Sequence, residues 1–166
     1  MTVVWLVGRT EISDFAPIAA ELARSLPGAE THRFGTPGDA IRSRSSADLV
    51  VVVQHQPAQF SRRDATALLG SQPLARFVVA LGPWCASHGR SERLWPEAIT
   101  VSLPNAPSRL RREGPRLLAS EPPFPLTAGR DELLLADPET FSDWSGETCH
   151  RSNLTEPEAD RPLWRG

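Results

Sequence analysis

Leu49-Val50-Val51-Val52-Val53 is apolar at every position. A strand with one face in water alternates apolar and polar residues, whereas an unbroken run needs cover on both faces. This run belongs at the centre of a parallel sheet with helices above and below. Four other segments take places beside it. Val3 to Val7 is a β-branched apolar run ended by Gly8, and Glu30 to Phe34 is a shorter, weaker strand. Phe77 to Leu81 and Ile99 to Leu103 complete five.

Helical segments separate these runs. Between Asp14 and Leu26, Ile18, Leu22 and Leu26 recur every four residues, Pro17 lies in the opening turn, and Pro27-Gly28 stops the helix. Thr36-Pro37-Gly38-Asp39 has a capping threonine, a proline at the first helical position and an acid at the third, which predicts a short helix to about Arg44. Ser61-Arg62-Arg63-Asp64 repeats the capping pattern and opens a helix through Leu69, ended at Gly70. Ser108 to Arg112 should be helical until Gly114-Pro115 interrupts it. Strands alternating with helices predict an α/β fold: a doubly wound, mainly parallel five-stranded sheet of order 2-1-3-4-5.

Composition narrows the chemistry. All 18 basic residues are Arg, so Schiff-base, P-loop and general-base lysines are absent. The net charge of −2 and the few aromatic residues argue against nucleic acid as a partner. No apolar run approaches the ~20 residues of a membrane span, and the opening MTVVWLVGRTE has neither a basic n-region nor a small-residue cleavage site. A cytoplasmic location is therefore expected. Two cysteines are too few for a disulfide scaffold. Cys85 and His88 form C-x-x-H, and Cys149 and His150 are adjacent, but this spacing matches no common zinc finger, and neighbouring residues point apart. Neither a metal nor a cofactor is expected.

The chain divides by charge. Residues 1 to 118 hold fourteen Arg and ten acids, and residues 119 to 166 hold four Arg and ten acids. The expected organisation is an α/β domain over 1–118 and a Pro-rich, acidic extension over 119–166. Six prolines between Pro104 and Pro125 mark the transition. Within the extension, Leu133-Leu134-Leu135, the Asp137-Pro138-Glu139 turn, and Phe141 and Trp144 as anchors predict partial order.

In the order, length and spacing of its elements, the stretch 1–118 resembles a response-regulator receiver domain. The resemblance implies an acid pair after strand 1 for Mg²⁺, a phosphoacceptor Asp ending strand 3, a hydroxyl after strand 4 and a Lys after strand 5. Here strand 1 ends in Gly8-Arg9-Thr10, strand 3 in Gln54-His55-Gln56, strand 4 in Ala80-Leu81-Gly82 and strand 5 in Leu103-Pro104-Asn105. None supplies the required group, so a Mg²⁺-dependent aspartyl phosphorelay has no means to run. Gly82-Pro83-Trp84-Cys85-Ala86-Ser87-His88-Gly89-Arg90, continuing through Leu94-Trp95-Pro96, is similar to a loop of planctomycete receiver-like proteins, a family that brings no activity with it.

Ligands of open α/β sheets bind beyond the carboxyl ends of the strands, at the switch point between strands 1 and 3. Arg9, Thr10, Gln54, His55 and Gln56 are the candidate ligand-binding residues there, with Gly82 and Trp84 from strand 4. No dinucleotide fingerprint accompanies Gly8. The candidate interface is the loop holding Trp84, Arg90, Arg93 and Trp95, joined by a basic stripe of Arg109, Arg111, Arg112 and Arg116. The two indoles could equally plug the sheet as core. The expected function is a non-catalytic pseudo-receiver, a protein-interaction or regulatory module that binds a protein partner or itself. The alternative is a ligand-binding or enzymatic flavodoxin-like protein using Arg9, Thr10, His55 and Cys85.

Overall fold

The structure is a computed structural model, and it describes residues 1–9, 13–85 and 94–123. All of them fall within one compact unit, Met1–Ala128. The five strands are β1 (Val3–Val7), β2 (Glu30–Phe34), β3 (Leu49–Gln54), β4 (Arg76–Leu81) and β5 (Ile99–Ser102). They form one sheet of order β2-β1-β3-β4-β5, with every pair parallel. The helices are α1 (Ala16–Ser25), α2 (Pro37–Arg42), α3 (Arg62–Ser71) and α4 (Ala106–Leu118). The expected α/β fold and strand order are therefore present. No helix among the described residues is long and apolar enough to cross a membrane.

β3 is buried at all six positions, as its unbroken apolar run requires. Its side chains feed two cores. Leu49, Val51 and Val53 join Val4, Leu6, Val78 and Ala80 beneath Ile18 and Leu22 of α1 and Leu110 of α4. Val50 and Val52 join Trp5, Val7 and Val79 against Ala40 of α2, Ala65 and Leu68 of α3, and Trp95. Both capping motifs form as read. Thr36 Oγ1 accepts from Asp39 N at 3.2 Å, and Ser61 and Asp64 complete a reciprocal capping box.

Two helices differ from expectation. A 3-10 turn at Ser13–Phe15 precedes α1, which itself begins at Ala16. More informatively, α4 does not stop at Gly114-Pro115; it continues to Leu118 with Pro115 inside it. Proline removes one helical hydrogen bond, but tertiary contacts hold this stretch. Arg76 of β4 donates to the carbonyls of Glu113 (3.3 Å) and Arg116 (3.4 Å), and also to that of Glu121. A Cβ on Gly114 would stand 2.7 Å from Ser25 Cβ, so the glycine lets α4 lie directly on α1.

The α1–α4 contact carries a buried carboxylate. Glu21 is 1% exposed; Ser25 Oγ donates to it at 2.7 Å, and Arg24 and Arg111 pair with it at 3.0 and 3.4 Å. Burial raises its pKa, but the Ser25 and Arg111 hydrogen bonds and the two guanidinium charges outweigh that, so it lies below the usual 4.5. The ionised form is the one the fold favours. Its contribution is present above pH 4.5 and is lost as the pH falls through the lowered value. Thermal unfolding between pH 7 and pH 3 should therefore show a loss of Tm that Glu21→Gln makes shallower. An unchanged acid slope in that variant would remove Glu21 from the account.

Candidate functional site

The carboxyl ends of the strands converge on the end of β3. β1 leads into Gly8, whose φ is +132° and whose N–H donates to Phe34 O at 2.8 Å. A Cβ there would lie 2.4 Å from Val53 O. On the other side Gly82 N–H donates to Gln54 O at 2.8 Å, and a Cβ at Gly82 would stand 3.0 Å from His55 Cα. Two glycines thus press the ends of β1 and β4 against β3.

Gln54 fills what space remains. It is 4% exposed, and its Oε1 accepts from Trp95 Nε1 at 2.9 Å. Its Nε2 donates to Gln56 O and Pro57 O at 3.1 and 3.0 Å. The expectation that Gln54 offers itself to a ligand is therefore corrected: its amide is committed to holding the β3–α3 loop and an indole. Gln59, which sequence reasoning missed, does similar work. Its Oε1 accepts from His55 N at 2.7 Å, and its Nε2 donates to Val53 O at 3.2 Å. Glutamine five residues past a strand carries no pattern that would single it out.

A crevice of about 540 Å³ opens outside this closed end, walled by Arg9, Thr36, His55, Gln56, Gln59 and Trp84. Arg9, His55 and Gln56 are thus brought together as expected, whereas Thr10 lies outside the described residues. Arg9 and Gln56 are exposed, while His55 is partly buried, with its Nε2 shielded from solvent and unpartnered. Cys85 does not join them. It is 1% exposed, its Sγ donates to Gln54 O at 3.5 Å, and burial pushes its thiol pKa up, against the sense a nucleophile requires. The alternative reading loses Cys85 as a reactive group. Beyond Pro83 lies a second, apolar hollow of about 690 Å³, walled by Pro17, Leu81, Val101, Leu103 and Pro107.

The two tryptophans, paired in the sequence reading, separate in space. Trp95 is 4% exposed and meets Phe60 edge-on, ring centroids 6.2 Å apart. It is core, and its expected interface role is corrected. Trp84 is 75% exposed at the rim of the crevice. Arg90 and Arg93, like His88, Cys149, His150 and the expected ordered segments of the extension, lie outside the described residues.

The basic stripe is corrected too. Arg109 is 6% exposed and pairs with Glu113 at 2.8 Å, so it faces the core. Arg111 is half exposed but spans to Glu21. Arg116 donates to Pro122 O and pairs with Glu121 at 3.4 Å. Arg112, half-buried, also has a partner. These guanidinia serve the packing and the end of α4, and they do not form one free basic face. No protein-family model matches the chain, and no curated protein matches it.

Proposed function

We propose that this chain is a non-catalytic, receiver-like module that acts by docking protein, with the carboxyl-end face around Trp84 as its contact surface and a second copy of the chain as the partner to test first. The observation that carries the reading is the 75% exposed indole of Trp84, held on a short 3-10 turn, Pro83–Cys85. Leaving an indole in water is costly for a residue of that apolar area, and Trp is the residue most enriched among interface anchors. Its turn is rigidly based, because Gly82 is bonded to β3 and Cys85 is buried.

The non-catalytic half of the reading rests on the strand ends. Chemistry of the receiver type needs carboxylates around a cation, and here a glycine and a committed glutamine stand at the ends of β1 and β3. Small-ligand binding at the neighbouring crevice is compatible with this reading and needs no catalysis.

Sedimentation velocity over a concentration series tests the docking surface. Trp84→Ala should weaken self-association by about 30-fold, the usual scale of an aromatic anchor worth 2 kcal/mol. Its Tm should stay within a few degrees, because the side chain is already in water. A wild-type chain that stays monomeric, or a variant that associates equally well, would overturn the surface assignment.

A further inference from the structure

We infer that the crevice beside Trp84 is a binding site for a small planar anion, an aromatic ring bearing a phosphate or carboxylate. The inference goes beyond the docking reading, and it is judged by binding rather than by association. Three features of the crevice point to that chemistry.

The first is charge. Arg9, an exposed residue of the wall, has no hydrogen bond or ion pair to any described residue. The fork of a guanidinium matches phosphate and carboxylate oxygens two at a time. No aspartate or glutamate is among the described wall residues. Asp39, beside Thr36 in the cap of α2, is already engaged by Arg42 and by Thr36 Oγ1. Among the described wall residues, an anion therefore meets a cation without a competing carboxylate.

The second is an unused polar group. His55 Nε2 is shut off from water and bonded to nothing, while the backbone of the same residue is fixed by Gln59. A buried ring nitrogen without a partner is uncommon in folded proteins and costs the fold free energy unless something answers it. His55 lines the crevice wall, and a turn of its ring that brings Nε2 to the wall surface would let a ligand's polar atom answer it.

The third is shape. Trp84, Phe60 and Pro83 are among the wall residues, so an aromatic ring has apolar surface to lie against. The volume of about 540 Å³ suits a mononucleotide or an aromatic acid. Arg9, carrying the anion, and Trp84, carrying the ring, come from the ends of β1 and β4 on either side of β3. The site thus spans the strand order at its switch point, although the space between β1 and β3 themselves is closed by Gly8.

Isothermal titration calorimetry on the full chain separates these elements. The probes are AMP against adenosine, and indole-3-acetate against indole-3-acetamide, with inorganic phosphate alone as a fifth. At least one of the two anions should bind with Kd below about 1 mM, and about tenfold or more tighter than its neutral counterpart and than phosphate. Which of the two binds tells phosphate from carboxylate. Arg9→Gln should erase the preference for the anion, and Trp84→Ala should weaken anion and neutral analogue alike. Arg33→Gln, an exposed arginine on β2 that is not among the described wall residues, should change nothing. Failure of both anions to bind, equal affinity for the neutral analogues, or binding untouched by Arg9→Gln would overturn the inference. A monomeric chain that still binds would sink the docking surface and leave this site standing.

Discussion

Gly8→Ala should lower the stability of the domain by about 3 kcal/mol or more, or prevent folding, although it adds a single methyl group at the buried end of β1. Two independent costs add at this position. The backbone φ of +132° lies in a region that side-chain-bearing residues rarely adopt, worth on the order of 1–3 kcal/mol. The new Cβ would also stand 2.4 Å from Val53 O, a backbone atom in the central strand that is pinned on both sides by its sheet neighbours. A flexible side chain could swing away; this carbonyl has nowhere to go without breaking the β1–β3 ladder.

Urea denaturation gives the measurement. The variant's midpoint should fall steeply with little change in m, and a shift of under 1 kcal/mol would mean that β1 and β3 separate readily. Gly82→Ala makes the comparison sharper. Its Cβ would be 3.0 Å from His55 Cα, tighter than ordinary contact but without a positive φ to add strain. It should therefore cost less than Gly8→Ala, and the difference isolates the backbone conformation from the crowding.

The sequence makes some of this legible and hides the rest for identifiable reasons. The unbroken run Leu49–Val53 is enough to place β3 at the sheet centre, because no half-exposed strand tolerates five consecutive apolar residues. Thr36 and Ser61 mark their helix starts because capping is local chemistry, decided within four residues. Pro115 misleads because its effect is settled elsewhere: Arg76, far away in sequence, supplies donors to the carbonyls that a broken helix would have left bare. Trp84 and Trp95 flank one loop and look equivalent, yet one is bonded to Gln54 and the other to nothing described.

The pairing of the arginine stripe is hidden for a different reason. Arg109, Arg111 and Arg112 are close in sequence, but at about 100° per residue Arg109 lies over buried Glu113, one turn on, while Arg111 points to the opposite side. Helical periodicity alone separates Arg109 from Arg111, whereas Arg112, three residues on, stays beside Arg109. What it does not supply is the third member of the cluster, Arg76, which arrives from β4 and is fixed only by the fold.

That cluster yields the largest expected effect of a side-chain deletion. Glu113 is 1% exposed, with Arg109 at 2.8 Å and Arg76 at 3.4 Å, their side chains only 7% and 9% exposed. Burial lowers the pKa of both guanidinia, and for both the strongest opposing influence is the Glu113 charge. One carboxylate therefore holds two desolvated cations in place. Glu113→Ala removes the counterion and leaves both cations, a change that costs about 3–5 kcal/mol for a buried pair, or on the order of 10–20 °C in Tm for a domain of this size. Removing the charge pair together should be milder. The double variant Arg109→Leu, Glu113→Leu fills the same space with apolar groups and removes the Arg109 charge together with its Glu113 partner, so it should be more stable than Glu113→Ala. Arg76 retains its bonds to the α4 carbonyls in either case, which limits recovery short of wild type. A double-mutant cycle on Arg109 and Glu113 should report a coupling of about 1 kcal/mol or more. Additive costs would mean that the two side chains act on the fold independently, and that solvent reaches the cluster well enough to screen it.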